Sequence, residues 1–352
     1  MVTKFLQAFG PDKDNSITEA ATILAASGLV AFPTETVYGL GGNALDATAS
    51  RRIYEAKGRP SDNPLIVHIS QFSQLESIAL NLPQEARILA DAFWPGPLTM
   101  VVKKNDVVPL ATTGGLDTVA VRMPNHPVAL ELINKSGCMI AAPSANLSGR
   151  PSPTKAEHVR ADLDGKIDCI LDGGSVDIGL ESTIIDLTDA KPMILRPGYI
   201  NADMLSKVLG YEVGLDPAIM ADALGATGLK PKAPGMRYKH YAPKADLTVV
   251  TGEETAVVLA INGFVDEAKN KGIKTGVIAT ASTASKYVAD HILVIGDRDD
   301  EDSIARHLYD ILRQFDDLGV EVIYSEEFST PRIGQAIMNR LLKAAGHTVI
   351  NI

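Results

Sequence analysis

Two tracts of alternating helix and strand periodicity flank a stretch rich in Gly and Pro. In the first tract, Ile17, Ala20, Ala21 and Leu24 recur at helical spacing, with Ser16-Ile17-Thr18-Glu19 reading as a capping box that opens the helix and Gly28 as its stop. Leu29 to Phe32 then predicts a short strand. Helices are expected near Ala49 to Lys57, Ser73 to Leu80 and Gln84 to Phe93, and strands at Leu65 to Ile69, Leu98 to Val102 and Thr118 to Arg122. Pro127 suits the first turn of a helix that stops at Gly137. Met139 to Ala142, the surroundings of Cys169, Ile184 to Leu187 and Met193 to Arg196 complete the strands, and Thr154 with Glu157 predicts another capped helix start. This pattern describes a mixed α/β domain of about two hundred residues.

From Leu247 a simpler alternation begins. Strands are predicted at Leu247 to Val250, Thr275 to Ala279, Ile292 to Ile295 and Val322 to Tyr324, with helices at Thr255 to Lys271, Asp302 to Asp317 and Ile333 to Ala345. Strand and helix in strict turn predict a small parallel sheet, Rossmann-like in layering. No Gly-x-Gly-x-x-Gly follows its first strand, so a dinucleotide site is not expected, and a regulatory or lid-holding role is. The expected organisation is therefore a catalytic domain over 1–210, a linker over 211–246 and a C-terminal domain over 247–352.

Polar chemistry sits where strands end. Lys57-Gly58-Arg59-Pro60-Ser61-Asp62-Asn63-Pro64 places two cations at the junction of a helix and a strand, since Gly58 and the prolines stop a helix. Arg can bond phosphate oxygens as a fork while Lys supplies a compact charge, so the loop suits a polyanion; it also reads as a solvated turn with two surface cations. Pro33-Thr34-Glu35-Thr36-Val37-Tyr38-Gly39 is dense in hydroxyls, and glycines 39, 41 and 42 are expected to let the backbone approach a ligand. Pro143 to Thr154 forms a third polar loop, ahead of a helix whose N-terminus favours an anion. In the linker, Leu229 to Lys244 carries Lys230, Lys232, Arg237, Lys239 and Lys244 without an acid, with Tyr238, His240 and Tyr241 interleaved. That segment reads either as a charged linker or as an ordered strap over a bound anion.

Composition narrows the partners. With 352 residues, 45% hydrophobic and 22% charged, the chain is an ordinary globular protein. Its net charge of -10 removes a global attraction to nucleic acid or anionic membrane, so any polyanion must meet a local cluster. Cys138 and Cys169 lie in no metal-ligand spacing and read as core residues of a reduced, cytoplasmic protein. No Walker A loop, His-Glu-x-x-His, Cys-x-x-Cys or Gly-x-Ser-x-Gly is present. Several cations, many hydroxyls and no marked nucleophile fit phosphoryl or nucleotidyl transfer, where positioning and charge stabilisation supply most of the rate.

The ordered segments Pro33-Thr34-Glu35-Thr36-Val37-Tyr38-Gly39-Leu40, Lys57-Gly58-Arg59-Pro60, Asn63-Pro64-Leu65, Trp94-Pro95-Gly96-Pro97 and Arg122-Met123-Pro124 continue through Ala142-Pro143-Ser144-Ala145-Asn146, Glu181-Ser182-Thr183 and Leu195-Arg196-Pro197-Gly198. Together they resemble the YrdC-like domain. The whole chain, with Met236 to Pro243 and the C-terminal tract, is similar to the long, two-domain threonylcarbamoyl-AMP synthases. The resemblance implies a mixed twisted sheet with flanking helices plus a small Rossmann-like domain. It further implies that L-threonine, bicarbonate and ATP, with Mg2+, become threonylcarbamoyl-AMP and pyrophosphate. That product would feed the machinery that modifies an adenosine beside the anticodon of certain tRNAs.

Carried onto this sequence, the resemblance puts Lys57 and Arg59 in catalytic roles and, with Ser61 and Asn63, along the triphosphate. Thr118, Ser144, Asn146, Ser152, Arg196, Tyr238 and His240 would complete the ATP site. Thr34, His68, Arg122, Ala142 and Ser182 would surround threonine. His68 also reads as an ordinary histidine at the edge of the core, and Trp94 as packing. A non-catalytic double-stranded RNA or tRNA-binding module is the alternative, disfavoured by the negative net charge. A carbamoyl-phosphate-processing relative of the same domain would need acylphosphatase-like and zinc-finger segments that this sequence lacks.

Overall fold

The computed structural model describes residues 2–217, 219, 240–328 and 330–352. It divides into two compact units, one of Met1–Ser148 with Ser152–Arg237, the other of Gly149–Pro151 with Tyr238–Ile352. In the first unit the strands, in chain order, are β1 (Lys4–Gln7), β2 (Val30–Phe32), β3 (Gly39–Asn43), β4 (Ile66–His68), β5 (Leu98–Lys103) and β6 (Thr118–Arg122). They continue with β7 (Ile140–Ala141), β8 (Cys169–Asp172), β9 (Thr183–Asp186), β10 (Met193–Arg196) and β11 (Gly214–Leu215). They form a mixed sheet in the order β1-β8-β2-β3-β7-β4-β6-β5-β9-β10-β11.

The helices follow their apolar stripes. Over Ala47–Lys57, Asp46 caps the N-terminus by accepting from the Thr48 N–H, and Ala49, Ser50, Ile53, Tyr54 and Lys57 face inward. Lys57 thus occupies the last position of a buried stripe. Gly58, at φ 60°, stops the helix in the left-handed region. The helix over Pro127–Ser136 begins with its proline and ends at Gly137 as the sequence predicts.

Four expectations are corrected. The first helix spans Lys13–Ala25 and caps without a side-chain bond, so Ser16 lies within it. The helix after the third polar loop begins at Ala156 with Lys155 as N-cap, and the Thr154 N–H donates to His158 Nδ1 instead. Glycines 39, 41 and 42 lie on strand β3, where a side chain would strike neighbours: a Cβ at Gly41 would sit 2.7 Å from Ile140 and 2.9 Å from the Phe32 ring. These glycines serve sheet packing. Cys169 is buried, but Cys138 is half-buried rather than a core residue.

The second unit holds a five-stranded sheet of β12 (Asp246–Thr251), β13 (Thr275–Thr280), β14 (His291–Gly296), β15 (Val322–Glu326) and β16 (Val349–Asn351). Every pairing is parallel, in the order β14-β13-β15-β12-β16. Helix Glu301–Leu318 buries Ile304, Leu308, Ile311, Leu312 and Phe315, the stripe visible in the sequence. β16 and the helix Ala202–Leu209 of the first unit were not predicted, although the helix carries a clear signal: an Asn201 cap, Met204, Leu205, Val208 and Leu209 at helical spacing, and a stop at Gly210. Among the described residues no helix is long and apolar enough to cross a membrane.

Candidate active site

The polar loops of the first unit are tied to one another by backbone hydrogen bonds. Tyr38 N–H donates to Pro153 O, and Ala145 N–H to Tyr38 O. Ile178 and Gly179 donate to the carbonyls of Glu35 and Thr36. A bridge also pairs Gly39 with Ser144. Segments distant in the chain, 34–39, 143–146, 152–154 and 178–182, therefore converge.

On this frame, the Lys57 ammonium donates to the carbonyls of Ser144 and Asn146, each at 2.5 Å. The Ser148 N–H closes the arrangement on the Lys57 carbonyl. Lys57 is 2% exposed, a burial that a cation tolerates when such acceptors surround it. Ser144 Oγ donates to Asn146 Oδ1, so these two residues and Lys57 form one cluster. Arg59 folds back onto its own loop, donating to the carbonyls of Asn63 and Pro64. Asn63 is buried beside it, whereas Ser61 is exposed.

A second cluster gathers at the facing ends of β4, β6 and β5, where His68 pairs in register with Arg122 and Arg122 with Thr99. Arg122 is buried. Its Nη1 donates to Thr36 Oγ1 at 2.8 Å, its Nε to Gly96 O, and its Nη2 lies 2.7 Å from Glu35 Oε2. Thr34 Oγ1 contacts Thr36 Oγ1 and accepts from the N–H groups of Thr36 and Val37, which holds the loop against Arg122. Thr99 Oγ1 meets Ser182 Oγ at 2.7 Å, and Arg196 reaches the same serine through Nη2 to Oγ and Nε to the carbonyl. Ser152 Oγ donates to Glu181 Oε1 next door. Ala142 is buried, its N–H bonded to Ile66 O.

His68 sits in a T-shaped contact with Phe32, with Nδ1 3.1 Å from Ile66 O. Burial first, and the neighbouring Arg122 charge second, push its pKa down to about 3. It is a neutral ring at any ordinary pH, buried at the edge of the core.

Thr118 lies at the far end of its strand from Arg122: it starts β6 and Arg122 ends it, so about 13 Å of extended chain separates them, at roughly 3.3 Å per residue. His240 belongs to the second unit, with its ring tilted against Tyr241. Tyr238 and most of the basic strap lie outside the described residues. Thr36, Thr99 and Glu181, which bond to Arg122, Ser182 and Ser152 respectively, were not singled out from sequence. Thr99 stands in a continuously buried strand and gives no alternation signal; Thr36 and Glu181 fall within segments already marked by the resemblance.

Chemically, the first unit offers Lys57, Arg59, Arg122 and Arg196 with a dense set of hydroxyls, an arrangement suited to a ligand carrying several anionic oxygens.

Comparison with known proteins agrees. A family model described as telomere recombination (Sua5_yciO_yrdC) matches residues 22–198, and one described as threonylcarbamoyl-AMP synthase, C-terminal domain, matches residues 200–346. The chain is 51% identical over 333 residues to a threonylcarbamoyl-AMP synthase of Pyrococcus abyssi, covering 95% of both proteins. It is 48% identical over 338 residues to that of Bacillus subtilis, covering 96% of this chain and 95% of the relative. Among solved structures, P. abyssi Sua5 complexed with L-threonine superposes with a TM-score of 0.92 at 48% identity, over 100% of each chain. The converging loops, both domain matches and near full-length likeness carry one conclusion: the chain belongs to the threonylcarbamoyl-AMP synthase family.

Proposed function

We propose that this protein joins L-threonine, bicarbonate and ATP into threonylcarbamoyl-AMP with release of pyrophosphate, and that the first unit carries the chemistry. The observation that supports this most is the clustering of buried cations, Lys57 by Ser144 and Asn146, and Arg122 and Arg196 linked through Thr99 and Ser182. The threonine nitrogen must lose a proton and meet bicarbonate, and the carbamate oxygen must then attack the α-phosphorus of ATP.

In this reading Arg122 holds the threonine carboxylate, with Thr34, His68, Ala142 and Ser182 around the amino acid. Lys57, Arg59, Ser61 and Asn63 line the phosphates, and Ser144, Asn146, Ser152 and Arg196 hold the nucleotide. Cations fixed before the reaction stabilise charge that develops on the phosphates and on leaving pyrophosphate without reorganising. Thr118, Tyr238 and His240 stay assigned to ATP on the resemblance alone.

Among the described residues no group of three or more His, Cys, Asp or Glu is placed to hold a metal by itself. Mg2+ is accordingly assigned as the ion carried by the ATP phosphates, since it binds readily through substrate phosphates and water. The product would be consumed in the cytoplasm by tRNA-modifying partners. Residues 1–210, 211–246 and 247–352 are assigned as catalytic domain, linker and Rossmann-like domain, with β11 of the middle stretch added to the first unit's sheet beside β10.

The test is pyrophosphate release by purified protein with Mg2+ and ATP. Release should require threonine and bicarbonate together. Release that ignores threonine, or RNA binding with no threonine-dependent turnover, would reject the reading.

A further inference from the structure

Glu35 and Arg122 form a buried ion pair that is poorly satisfied. Both side chains are about one-twentieth exposed, and Glu35 Oε2 lies 2.7 Å from Arg122 Nη2. The contact is off the hydrogen-bond axis. Among the described residues, neither carboxylate oxygen of Glu35 has a hydrogen-bond partner, and neither does Arg122 Nη2. The other guanidinium donors are occupied, Nη1 by the Thr36 hydroxyl and Nε by the Gly96 carbonyl. The Glu35 backbone is itself anchored, because its carbonyl accepts from the Ile178 N–H.

A buried pair repays its desolvation when its geometry is good and its remaining lone pairs and protons are bonded. Here, among the described residues, two acceptor oxygens and one donor are left without aligned partners, as is Nδ1 of nearby His126, whereas the hydroxyls of Thr34, Thr36 and Ser182 are bonded. These orphaned atoms have the complementary chemistry of an α-amino acid zwitterion: an ammonium brings donors for the carboxylate, and a carboxylate brings acceptors for the guanidinium.

We propose that Glu35 is the seat of the substrate ammonium, so that binding exchanges one misaligned internal pair for two matched ones, carboxylate on Arg122 and ammonium on Glu35. This rests on the reading of Arg122 as the carboxylate holder. It adds a specificity residue: the site selects an amino acid over the hydroxy acid of the same carbon skeleton.

The experiment compares equilibrium binding of L-threonine and of 3-hydroxybutyrate, which lacks the amino group, to the full-length chain and to Glu35→Gln. The unmodified chain should prefer threonine by about tenfold or more, the scale of one charge-assisted hydrogen bond. In Glu35→Gln that preference should collapse, while 3-hydroxybutyrate binds at least as well as before. Equal weakening of both ligands would mark Glu35 as structural and overturn the proposal, as would a preference retained in Glu35→Gln. On the unmodified chain alone, equal affinity for the two ligands overturns it without any variant. Absence of all threonine binding to the unmodified chain would instead reject the underlying functional reading, a result distinct from each of these.

Discussion

The Lys57 ammonium rests 2.5 Å from the main-chain carbonyl of Ser144, a residue 87 positions further along the chain. A buried cation held this way is fixed in place before any ligand arrives. Substituting Lys57→Ala removes the charge and strips two carbonyls, Ser144 O and Asn146 O, of their donor. Threonine-dependent pyrophosphate release should fall about ten- to a hundredfold, the equivalent of roughly 1.5–3 kcal/mol. Thermal unfolding should shift downward as well. Unchanged turnover in a folded variant would remove Lys57 from the machinery.

Arg122 uses a planar fork, donating from Nη1 to Thr36 and from Nε to Gly96, with Nη2 2.7 Å from Glu35 but off the hydrogen-bond axis. Arg122→Lys preserves charge but cannot hold the Thr36 and Gly96 bonds while presenting a third nitrogen to a carboxylate. Its KM for threonine should rise about tenfold or more while the KM for ATP stays near its original value. Parallel changes in both constants would show that the guanidinium does not act on the amino acid.

Ser182 joins the two halves of the candidate site, meeting Thr99 on one side and Arg196 on the other. Residues sharing a hydrogen-bond network are non-additive, so Ser182→Ala and Arg196→Lys should couple by about 0.5–3 kcal/mol in a double-mutant cycle of kcat/KM. A sum of independent effects would mean that the contact transmits nothing.

His68 gives a prediction about acid stability. Its folded pKa is pushed to about 3 from an ordinary 6.5. Between those values the unfolded chain takes up a proton that the folded chain does not, so stability present above pH 6.5 is lost as pH falls through this window. Denaturant unfolding at pH 7, 5 and 4 should show the stability difference between the parent and His68→Gln moving in favour of the variant as pH drops. Burial lowers the His126 pKa in the same direction, and that contribution cancels in the comparison. A difference independent of pH would mean that His68 is not held neutral by burial.

Much of the fold was legible. The helix over Gln84–Phe93 and the strands Thr118–Arg122 and Met193–Arg196 match their predicted limits, because each joins a clear period to a proline, glycine or polar boundary. Strand β3 was hidden: Gly39-Leu40-Gly41-Gly42-Asn43 looks like loop, and only the close approach of Phe32 and Ile140 explains its glycines. Thr154 and Ser16 offered local caps that the chain does not use, since a helix start answers to packing as well as to its nearest hydroxyl.

Taken alone, the order of residues determined the two α/β tracts and the helix stop at Gly58, and marked the polar loops at strand ends, while the resemblance named the individual site candidates. Those features are local: they follow from backbone preferences, from periodicity and from motifs read in series. Which polar groups would share a contact was decided only in three dimensions. Lys57 with Ser144, Arg122 with Glu35, and Thr99 with Ser182 with Arg196 are pairings across the sheet and between loops. Strand order and register set such distances, and burial then sets which charges must find one another.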